Sequence, residues 1–257
     1  MKSRFGHSEF LPGIDLWSLG IHELLEYLKD RIEEGRSTFI VTLNPLMVMR
    51  YRQDEEFARA LDAADVIVAD GVGIKWAYRR IKQRNIQLIP GVELAEAIIE
   101  KASEYGWNVG LIGGEPVIWE KAAEKLTTRY PELKVAYGHH GYFSQEEEPE
   151  IVNEIIQKAL QVLIAGMGFP KQELFLNKFK KHFEGSILIG VGGSLDVFSG
   201  KTKRAPQIYR RLRIEWLYRM FSEPKRISNF LILLNYWILV ILRHPWLFKK
   251  TINDRIP

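Results

Sequence analysis

The feature that most constrains the fold of this chain is a series of six short apolar runs separated by amphipathic stretches. The runs are rich in Val, Ile and Leu, which is typical of strands buried on both faces of a sheet. The predicted strands are 37–43, 65–69, 108–113, 134–139, 162–167 and 186–191. The intervening stretches have helical periodicity, and the predicted helices are 20–34, 54–62, 92–105, 115–130, 147–160 and 170–182. This alternation predicts an α/β fold with a mostly parallel sheet and helices on both faces.

The composition permits a large core and excludes cysteine chemistry. Of the 257 residues, 46% are apolar, which suits one large or two small globular domains. Cysteine is absent, so disulfides and thiolate metal sites are excluded. The N-terminal segment has no apolar stretch typical of a secretory signal, and we therefore expect a cytoplasmic protein.

Charge is divided unevenly along the chain. Residues 200–257 contain 13 Lys and Arg against three acids, a net charge of +10, while the whole chain carries +4, so residues 1–199 carry −6. A basic segment joined to an acidic body indicates an anionic partner: nucleic acid, a phosphate-bearing substrate or an anionic lipid. Since the strand pattern ends near residue 200, we predict an α/β core over 1–199 and a helical appendage over 200–257.

The appendage contains a run of 13 residues, 230–242, in which only Asn235 is polar. As a helix it would extend roughly 20 Å, less than the roughly 30 Å hydrocarbon core of a bilayer. Basic residues flank the run on both sides. This pattern favours a helix lying in one leaflet, with residues 225–250 on an anionic membrane surface. The alternatives are a helix packed on the core or on another subunit of a homo-oligomer.

Polar or glycine-rich segments follow five of the predicted strands. In open α/β sheets, ligands bind at the carboxyl ends of the strands, so these segments predict a nucleotide-type site at one edge. The segments are TLNP (42–45), ADGVG (69–73), LIGGEP (111–116), AGMGFPKQE (165–173) and GVGGSLD (190–196).

Each segment also has an interpretation in which it binds nothing. Asn44 and Asp196 suit helix caps, and Asp70 before a glycine suits a turn or a cap. In the functional interpretation, Asp70 is a strand-end carboxylate available for catalysis. Thr42 and Asn44, at alternate positions of a strand end, would then point the same way. Asp196 beside the glycines could accept hydrogen bonds from a base or a ribose.

The segment MGFPKQE (167–173) follows a strand and opens a helix. Gly168 permits a close approach of the backbone, N–H groups at the helix start can bind an anion, and Lys171 and Gln172 add side-chain donors. The spacing matches neither the dinucleotide-binding fingerprint nor the P-loop, which disfavours a nucleotide-dependent oxidoreductase. Neither HExxH nor DxD occurs in the chain, and we predict no metal site and no cofactor.

In their order along the chain, TLNP, ADGVG, GMGFPKQE, GVGGSLDVFSG, RAP and EWLYRMFSEPKR resemble the WecG/TagA/CpsF glycosyltransferase family, over about residues 10–230. The resemblance implies a GT-E type fold and an inverting, metal-independent transfer. In the best-known members, N-acetylmannosamine moves from a UDP-sugar to a sugar on undecaprenyl diphosphate, for cell-surface polymer synthesis. It also implies a protein bound peripherally to the inner face of the cell membrane, with no nucleic acid partner.

The resemblance assigns roles to individual residues. It implies that Asp70 is the general base, supported by Thr42 and Asn44. The residues expected at the nucleotide and the transferred sugar are Gln172, Tyr142 and Asp196, together with Lys171, Gly168 and Gly193 from the same segments.

Two positions depart from the family's pattern. Leu88 stands where the family usually has an arginine, and Arg84 lies four residues earlier. The arginines expected at the lipid diphosphate fall on Arg219 and Arg226, but Asn229 stands where a third is expected. Both departures remove positive charge that could meet phosphates. The alternatives are therefore a different donor sugar, such as glucose or a uronic acid, or a non-catalytic membrane-surface protein.

Overall fold

The computed structural model describes residues 6–202 and 229–243 of the chain. These residues form a six-stranded parallel sheet, a two-stranded antiparallel hairpin, and helices packed on both faces of the larger sheet. The α/β class expected from the alternating pattern is confirmed. The division of the chain at residue 199 stays a prediction, because residues 203–228 lie outside the described residues.

The N-terminal hairpin was not predicted. Its strands, β1 (His7–Leu11) and β2 (Ile14–Trp17), pair antiparallel across a turn at Pro12 and Gly13. Gly13 has a φ of +83°, a conformation that favours glycine, and the Pro-Gly pair is the signal that could have identified the turn. The hairpin buries Phe10 in the core through β1 and lies beside the larger sheet through β2.

All six predicted strands of the larger sheet are present, with ends within one residue of prediction. They are β3 (Thr38–Leu43), β4 (Val66–Ala69), β5 (Asn108–Gly113), β6 (Lys134–His139), β7 (Val162–Gly166) and β8 (Ile187–Gly190). Their spatial order is β4-β3-β8-β7-β5-β6, with every pair parallel. The chain runs outward from β3 to β4 and then crosses to β5. The two halves of the sheet therefore meet between β3 and β8, where open sheets of this kind bind ligands.

Helices cover the sheet in two apolar layers. Along β3, Phe39 and Val41 face one layer and Ile40 faces the other, which explains why the strand is apolar throughout. The helices on the Ile40 side are α1 (Ile21–Glu33), α5 (Gly91–Tyr105), α6 (Ile118–Arg129) and α9 (Ser194–Phe198). Those on the other side are α2 (Pro45–Tyr51), α3 (Glu55–Asp62), α4 (Val72–Lys82), α7 (Glu148–Gln157), α8 (Lys171–Phe179) and α10 (Asn229–Ile241), with a 3-10 helix at Lys180–His182 after α8.

Three helices that follow strand ends, α2, α4 and α9, were not among the six predicted helices, although the interpretation of Asn44 as a cap implied a helix at α2. They are short or open with glycine or proline, and such segments read as loops when only sequence is considered. The six predicted helices are all present, five of them shorter than predicted. The helices that follow the strands begin near the carboxyl edge of the sheet. Their first turns bring backbone N–H groups there, and such groups can bind an anion.

Helix α10 confirms the helix predicted over 230–242, and its two sides differ. Tyr236 and Val240 are buried against α2 and α4, and the Tyr236 hydroxyl donates a hydrogen bond to the carbonyl of Gly73 (3.2 Å). Trp237 packs on Trp76 of α4, with ring centroids 4.9 Å apart. Elsewhere α10 and the residue that follows it leave large apolar side chains at least 42% exposed: Phe230, Leu231, Ile232, Leu234, Ile238, Ile241 and Leu242. None of the described helices is long and apolar enough to cross a membrane.

Candidate active site at the carboxyl edge of the sheet

The carboxyl ends of the six parallel strands lie at one edge of the larger sheet. Every predicted site residue within the described ranges lies at this edge, either among the last residues of a strand or in the segment that follows the strand. Backbone hydrogen bonds join neighbouring segments, for example from Gly114 N–H to the Gly166 carbonyl (3.2 Å). The fold therefore brings together motifs that are more than 100 residues apart in sequence.

Asp70 directly follows β4 and is half-buried. Its backbone N–H donates to the carbonyl of Leu43 at the end of β3 (2.9 Å), which fixes the two strand ends relative to each other. Gly71 takes the N-cap position of α4, with a φ of +82° that favours glycine. Asp70 is therefore not the N-cap residue of α4, and it lies at the carboxyl edge of the sheet.

Asn44 is the N-cap of α2. Its side-chain Oδ1 accepts hydrogen bonds from the N–H groups of Leu46 (3.0 Å) and Met47 (3.2 Å), and Pro45 takes the first helical position. The alternative interpretation of Asn44 as a cap is confirmed. Because the cap uses Oδ1, any contact with a ligand falls to the amide nitrogen, a hydrogen-bond donor.

Thr42 lies just below the edge, where the two halves of the sheet meet. It is 5% exposed, and its hydroxyl donates to the carbonyl of Gly190 on β8 (3.2 Å). It also packs under the start of α5, since a Cβ built on Gly91 would lie 3.1 Å from Thr42 Oγ1. Thr42 thus joins β3 to β8 and supports the edge from beneath.

Gln172 occupies the first turn of α8 and is 2% exposed. Its Oε1 accepts a hydrogen bond from Gly192 N–H (2.9 Å), and its Nε2 donates to Glu173 Oε1 (2.7 Å). Gly190 leaves the space for this amide, because a Cβ at that position would lie 2.6 Å from Gln172 Nε2. The amide of Gln172 therefore holds the turn that follows β8.

Glu173 is fully buried beside Gln172, and the sequence analysis did not single it out. Burial raises the pKa of its carboxyl group to about 7, from 4.5. Among the described residues, its Oε2 atom has no hydrogen-bond partner. The signal that could have identified Glu173 is its position three residues before Leu176, on the buried side of α8.

Two glycines at the edge adopt left-handed backbone conformations. The φ angles are +79° at Gly168 and +53° at Gly192. No atom lies within 4 Å of a Cβ built on either residue, so the backbone conformation, not crowding, favours glycine there. Gly193 differs, because it takes the N-cap position of α9 at an ordinary φ of −76°.

Lys171 fastens the loop after β6 to the start of α8. Its Nζ donates to the carbonyls of Gly141 (2.9 Å) and Phe143 (3.1 Å), and it lies 4.2 Å from the centroid of the Phe143 ring. Tyr142 stands between these two residues and is 69% exposed. Lys171 therefore positions the loop that presents the Tyr142 ring to solvent.

Asp196 lies in α9 but does not cap it, because Gly193 holds the N-cap position. Its Oδ1 is 3.7 Å from Lys201 Nζ, which also lies 2.8 Å from Glu115 after β5. All three side chains are between 31% and 58% exposed, and exposed ion pairs of this kind contribute little to stability. The Asp196 carboxylate is accordingly accessible at the edge.

Leu88 and Asn229, which stand where the family pattern has arginine, lie in different structural environments. Leu88 is half-buried and packs against the apolar core, while Arg84 is exposed earlier in the same loop. Asn229 begins α10, and Arg219 and Arg226 lie outside the described residues. Over residues 6–202 and 229–243, no group of three His, Cys, Asp or Glu residues is placed to hold a metal ion.

Comparison with known proteins identifies the family of the chain. The chain matches the model of the glycosyl transferase WecG/TagA/CpsF family over residues 9–251. It is 37% identical over 219 residues to the N-acetylglucosaminyldiphosphoundecaprenol N-acetyl-beta-D-mannosaminyltransferase of Staphylococcus aureus strain MW2, covering 84% of this chain and 85% of that protein. The same protein of strain NCTC 8325 / PS 47 has the same identity and coverage. The chain therefore belongs to the WecG/TagA/CpsF family and is a glycosyltransferase, as the sequence motifs predicted.

Proposed function

We propose that the chain transfers N-acetylmannosamine from a UDP-sugar to a sugar carried on undecaprenyl diphosphate, with inversion and without a metal, in the synthesis of a cell-surface polymer. The names of the Staphylococcus aureus relatives support the transferred sugar and the acceptor. The observation that carries the proposal is the position of Asp70, a half-buried carboxylate on the edge where the motifs converge. Because β3 lies between β4 and β8, Asp70 and the turn held by Gln172 are roughly 10 Å apart.

In this proposal, Asp70 is the general base. Its carboxylate accepts the proton of the acceptor hydroxyl, whose oxygen forms a bond to the anomeric carbon of the donor. The bond from that carbon to the UDP oxygen breaks on the opposite face, and the electron pair leaves with UDP. Attack opposite the leaving group inverts the configuration. Its attachment to the end of β3 through Leu43 gives Asp70 the rigidity that a base needs.

The leaving diphosphate gains negative charge as its bond breaks. Without a metal, backbone N–H groups and arginines would stabilise that charge. The segments around Gly168 and Gly192 suit this task, since the space over both glycines is open, although the Gly192 N–H itself donates to Gln172. Arg219 and Arg226 are the proposed cationic contacts to the acceptor diphosphate. For the nucleobase and ribose we assign the exposed ring of Tyr142 and the accessible carboxylate of Asp196.

Helix α10 supports a lipid-linked acceptor. Its exposed apolar side would lie in one leaflet on the inner face of the cell membrane, and the basic residues of 225–250 would meet anionic lipid. The opposite side is attached close to the proposed base, because Tyr236 donates to Gly73, three residues after Asp70. A helix in the membrane surface would therefore hold the carboxyl edge near the lipid diphosphate.

A donor panel tests the proposed reaction. Purified protein with an undecaprenyl-diphosphate-linked N-acetylglucosamine analogue would be supplied with UDP-linked N-acetylmannosamine, glucose and a uronic acid, and UDP release and product mass would be measured. We expect turnover with N-acetylmannosamine. Preference for glucose or a uronic acid would contradict the sugar assignment, and Leu88, in place of the arginine of the family pattern, is the observation that favours these alternatives. Release of no UDP with any donor would contradict the proposal.

A vesicle experiment tests the membrane surface. Leu231→Asp with Ile238→Asp places two charges on the exposed side of α10. The matched control is Ile156→Asp, which charges an isoleucine of α7 that is 39% exposed. Sedimentation with vesicles containing anionic lipid should fall for the α10 variant and stay unchanged for the control. If the α10 variant binds as wild type but changes its mass in solution, this side is an interface between subunits instead.

A further inference from the structure

The buried pair of Gln172 and Glu173 includes a feature that the proposed reaction does not use. Glu173 is an ionisable group without exposed surface, and one of its two oxygens has no partner among the described residues. Leaving a buried acceptor unsatisfied is costly, so an apolar residue or a glutamine would suit a purely structural position better. The other oxygen has a defined partner, because it accepts a hydrogen bond from Gln172 Nε2.

The contact between Gln172 and Glu173 selects one of the two possible orientations of the Gln172 side-chain amide. The oxygen and nitrogen of Gln172 occupy nearly the same space, and rotation by half a turn exchanges them. Gly192 N–H is a donor and requires the amide oxygen, while the Glu173 carboxylate is an acceptor and requires the amide nitrogen. The two contacts therefore select the same orientation, and the carboxylate penalises the reversed one.

We propose that Glu173 is a positioning residue, whose carboxylate fixes the orientation of the Gln172 amide and thereby holds Gly192 and the turn at 190–193 in the geometry that receives the donor. The inference rests on the proposed function of this edge. The turn is the segment after β8, and Thr42 holds its first residue from the other half of the sheet by donating to the Gly190 carbonyl. Glu173 thus acts through Gln172 and does not itself touch substrate.

The surroundings make Glu173 sensitive to pH. The strands packed on α8, which are β3, β7 and β8, carry no ionisable residue, so no ion pair from them holds the carboxylate ionised. Within α8, Lys171 donates to the loop after β6, and Lys178 pairs with Glu148. The remaining ionisable residues on elements packed against α8 are the exposed Glu55, Glu56, Arg59 and Asp62 of α3 and, beyond Phe179 at the far end of α8, Lys180, Lys181 and His182 of the 3-10 helix.

Protonation changes what the carboxyl group can do for Gln172. The ionised group only accepts, whereas the protonated group can also donate to the amide oxygen and so tolerates the reversed orientation. The competent orientation is therefore favoured above the pKa of Glu173 and less populated below it. Apparent affinity for the donor falls in proportion to the competent fraction, so the donor KM should rise as the pH falls through about 7.

The test compares Glu173→Gln with wild type in the transfer assay. Glutamine keeps the size of the side chain but removes its charge and its titration. We expect the donor KM to rise on the order of fivefold above pH 7, with kcat unchanged, and to lose its dependence on pH near neutrality. A merely structural role predicts the opposite split, a lower kcat from a smaller folded fraction with an unchanged KM. That split, or a pH profile like that of wild type, would overturn the inference.

The matched control is Glu148→Gln. Glu148 is also a buried glutamate, 7% exposed, and it contacts α8 through Lys178, near the opposite end of the helix from Gln172. The control should lose stability while keeping the donor KM and its pH dependence. An equal rise of KM in Glu148→Gln would show that general loosening of α8, not the orientation of Gln172, determines donor affinity.

A second measurement is independent of activity. Labelling with [13C]valine and [15N]glycine selects amides of Val–Gly pairs, which are Val72–Gly73, Val109–Gly110 and Val191–Gly192. The Gly192 amide shift should titrate near pH 7 in wild type and not in Glu173→Gln, with the other two amides as internal references. A flat Gly192 shift in wild type overturns the inference, even if Glu173→Gln fails to fold. If wild type transfers no sugar but its Gly192 amide shift still titrates near pH 7, only the proposed function is contradicted.

Discussion

The two halves of the carboxyl edge place their polar groups differently. At the β3–β4 end, Asp70 is a half-buried carboxylate beside helices whose capping is supplied by Asn44 and Gly71. At the β7–β8 end, Gln172 and Glu173 are buried and bond to the protein itself. In the proposed reaction the first end supplies the group that contacts the substrate, while the second uses its groups to shape a backbone turn. The chemistry of the first should therefore appear in kcat and that of the second in donor affinity.

The largest expected effect comes from Asp70→Asn. The amide keeps the size of the side chain but cannot accept the acceptor proton, so kcat should fall by about 10³-fold. UDP binding, measured by calorimetry, should be retained because the proposed nucleotide contacts lie at other strand ends. The control is Asp30→Asn, an exposed position of α1, which should leave both quantities unchanged. Turnover close to wild type in Asp70→Asn would remove Asp70 as the base.

The next effect concerns the dependence of stability on pH. The raised pKa of Glu173 means that the folded protein binds a proton more tightly than the unfolded chain, between pH 4.5 and about 7. This group's contribution to stability is therefore complete below its unfolded pKa and is lost as the pH rises through about 7, by about 3 kcal/mol. Chemical denaturation at several pH values should show this loss in wild type and a smaller slope in Glu173→Gln. Equal slopes would mean that Glu173 is ionised throughout that range.

A smaller effect is expected from Gly190→Ala. The new methyl group would lie 2.6 Å from Gln172 Nε2, and overpacking of this kind costs about 1–3 kcal/mol. Donor affinity should fall with stability, because the amide must move away from the turn. In the double variant with Gln172→Ala, the methyl group has space, so the two stability losses should not add. Additive losses would show that Gly190 and Gln172 are not in contact.

The smallest effect separates capping from catalysis at Asn44. Asn44→Ala should cost about 1 kcal/mol of stability, because two N–H groups of α2 lose their acceptor. Asn44→Asp keeps an acceptor for the cap but lacks the amide nitrogen, so it should restore the thermal midpoint. If Asn44→Ala lowers kcat and Asn44→Asp restores it, capping is the whole role of Asn44. A kcat that stays low would place the amide nitrogen at the substrate.

The sequence predicted the larger sheet well because its strands are buried on both faces. Continuous apolar runs such as 108–113 have few other ways to fold in a chain of this length, and flanking amphipathic helices fix the class. The hairpin at 7–17 was missed because its strands are short and mix polar with apolar residues. Helix α4 was missed because it opens at Gly71 and Gly73, where local preference favours a turn.

The sequence predicted which edge of the sheet its motifs share, but not which side chains contact each other there. The motifs identified the edge, because strand ends in an open sheet share one side. That Asn44 caps a helix while Asp70 does not depends on where each helix begins, to within one residue. Glu173 could not be assigned, because its partner Gln172 and the Gly192 amide come together only when α8 packs on β8. Side-chain contacts between distant segments are set by packing, which periodicity does not encode.

The attachment of α10 has a consequence for protein engineering. Removing the C-terminal segment is an obvious way to reduce lipid affinity, yet Tyr236 and Val240 are part of the apolar core over α2 and α4. A chain cut before residue 229 would expose that surface to water and leave the Gly73 carbonyl without the tyrosine hydroxyl. Such a shortened protein would lose the exposed apolar surface of α10 but expose the apolar surface of α2 and α4 instead. A soluble variant is better obtained by substituting charged residues for the exposed apolar residues of α10 while keeping its buried residues unchanged.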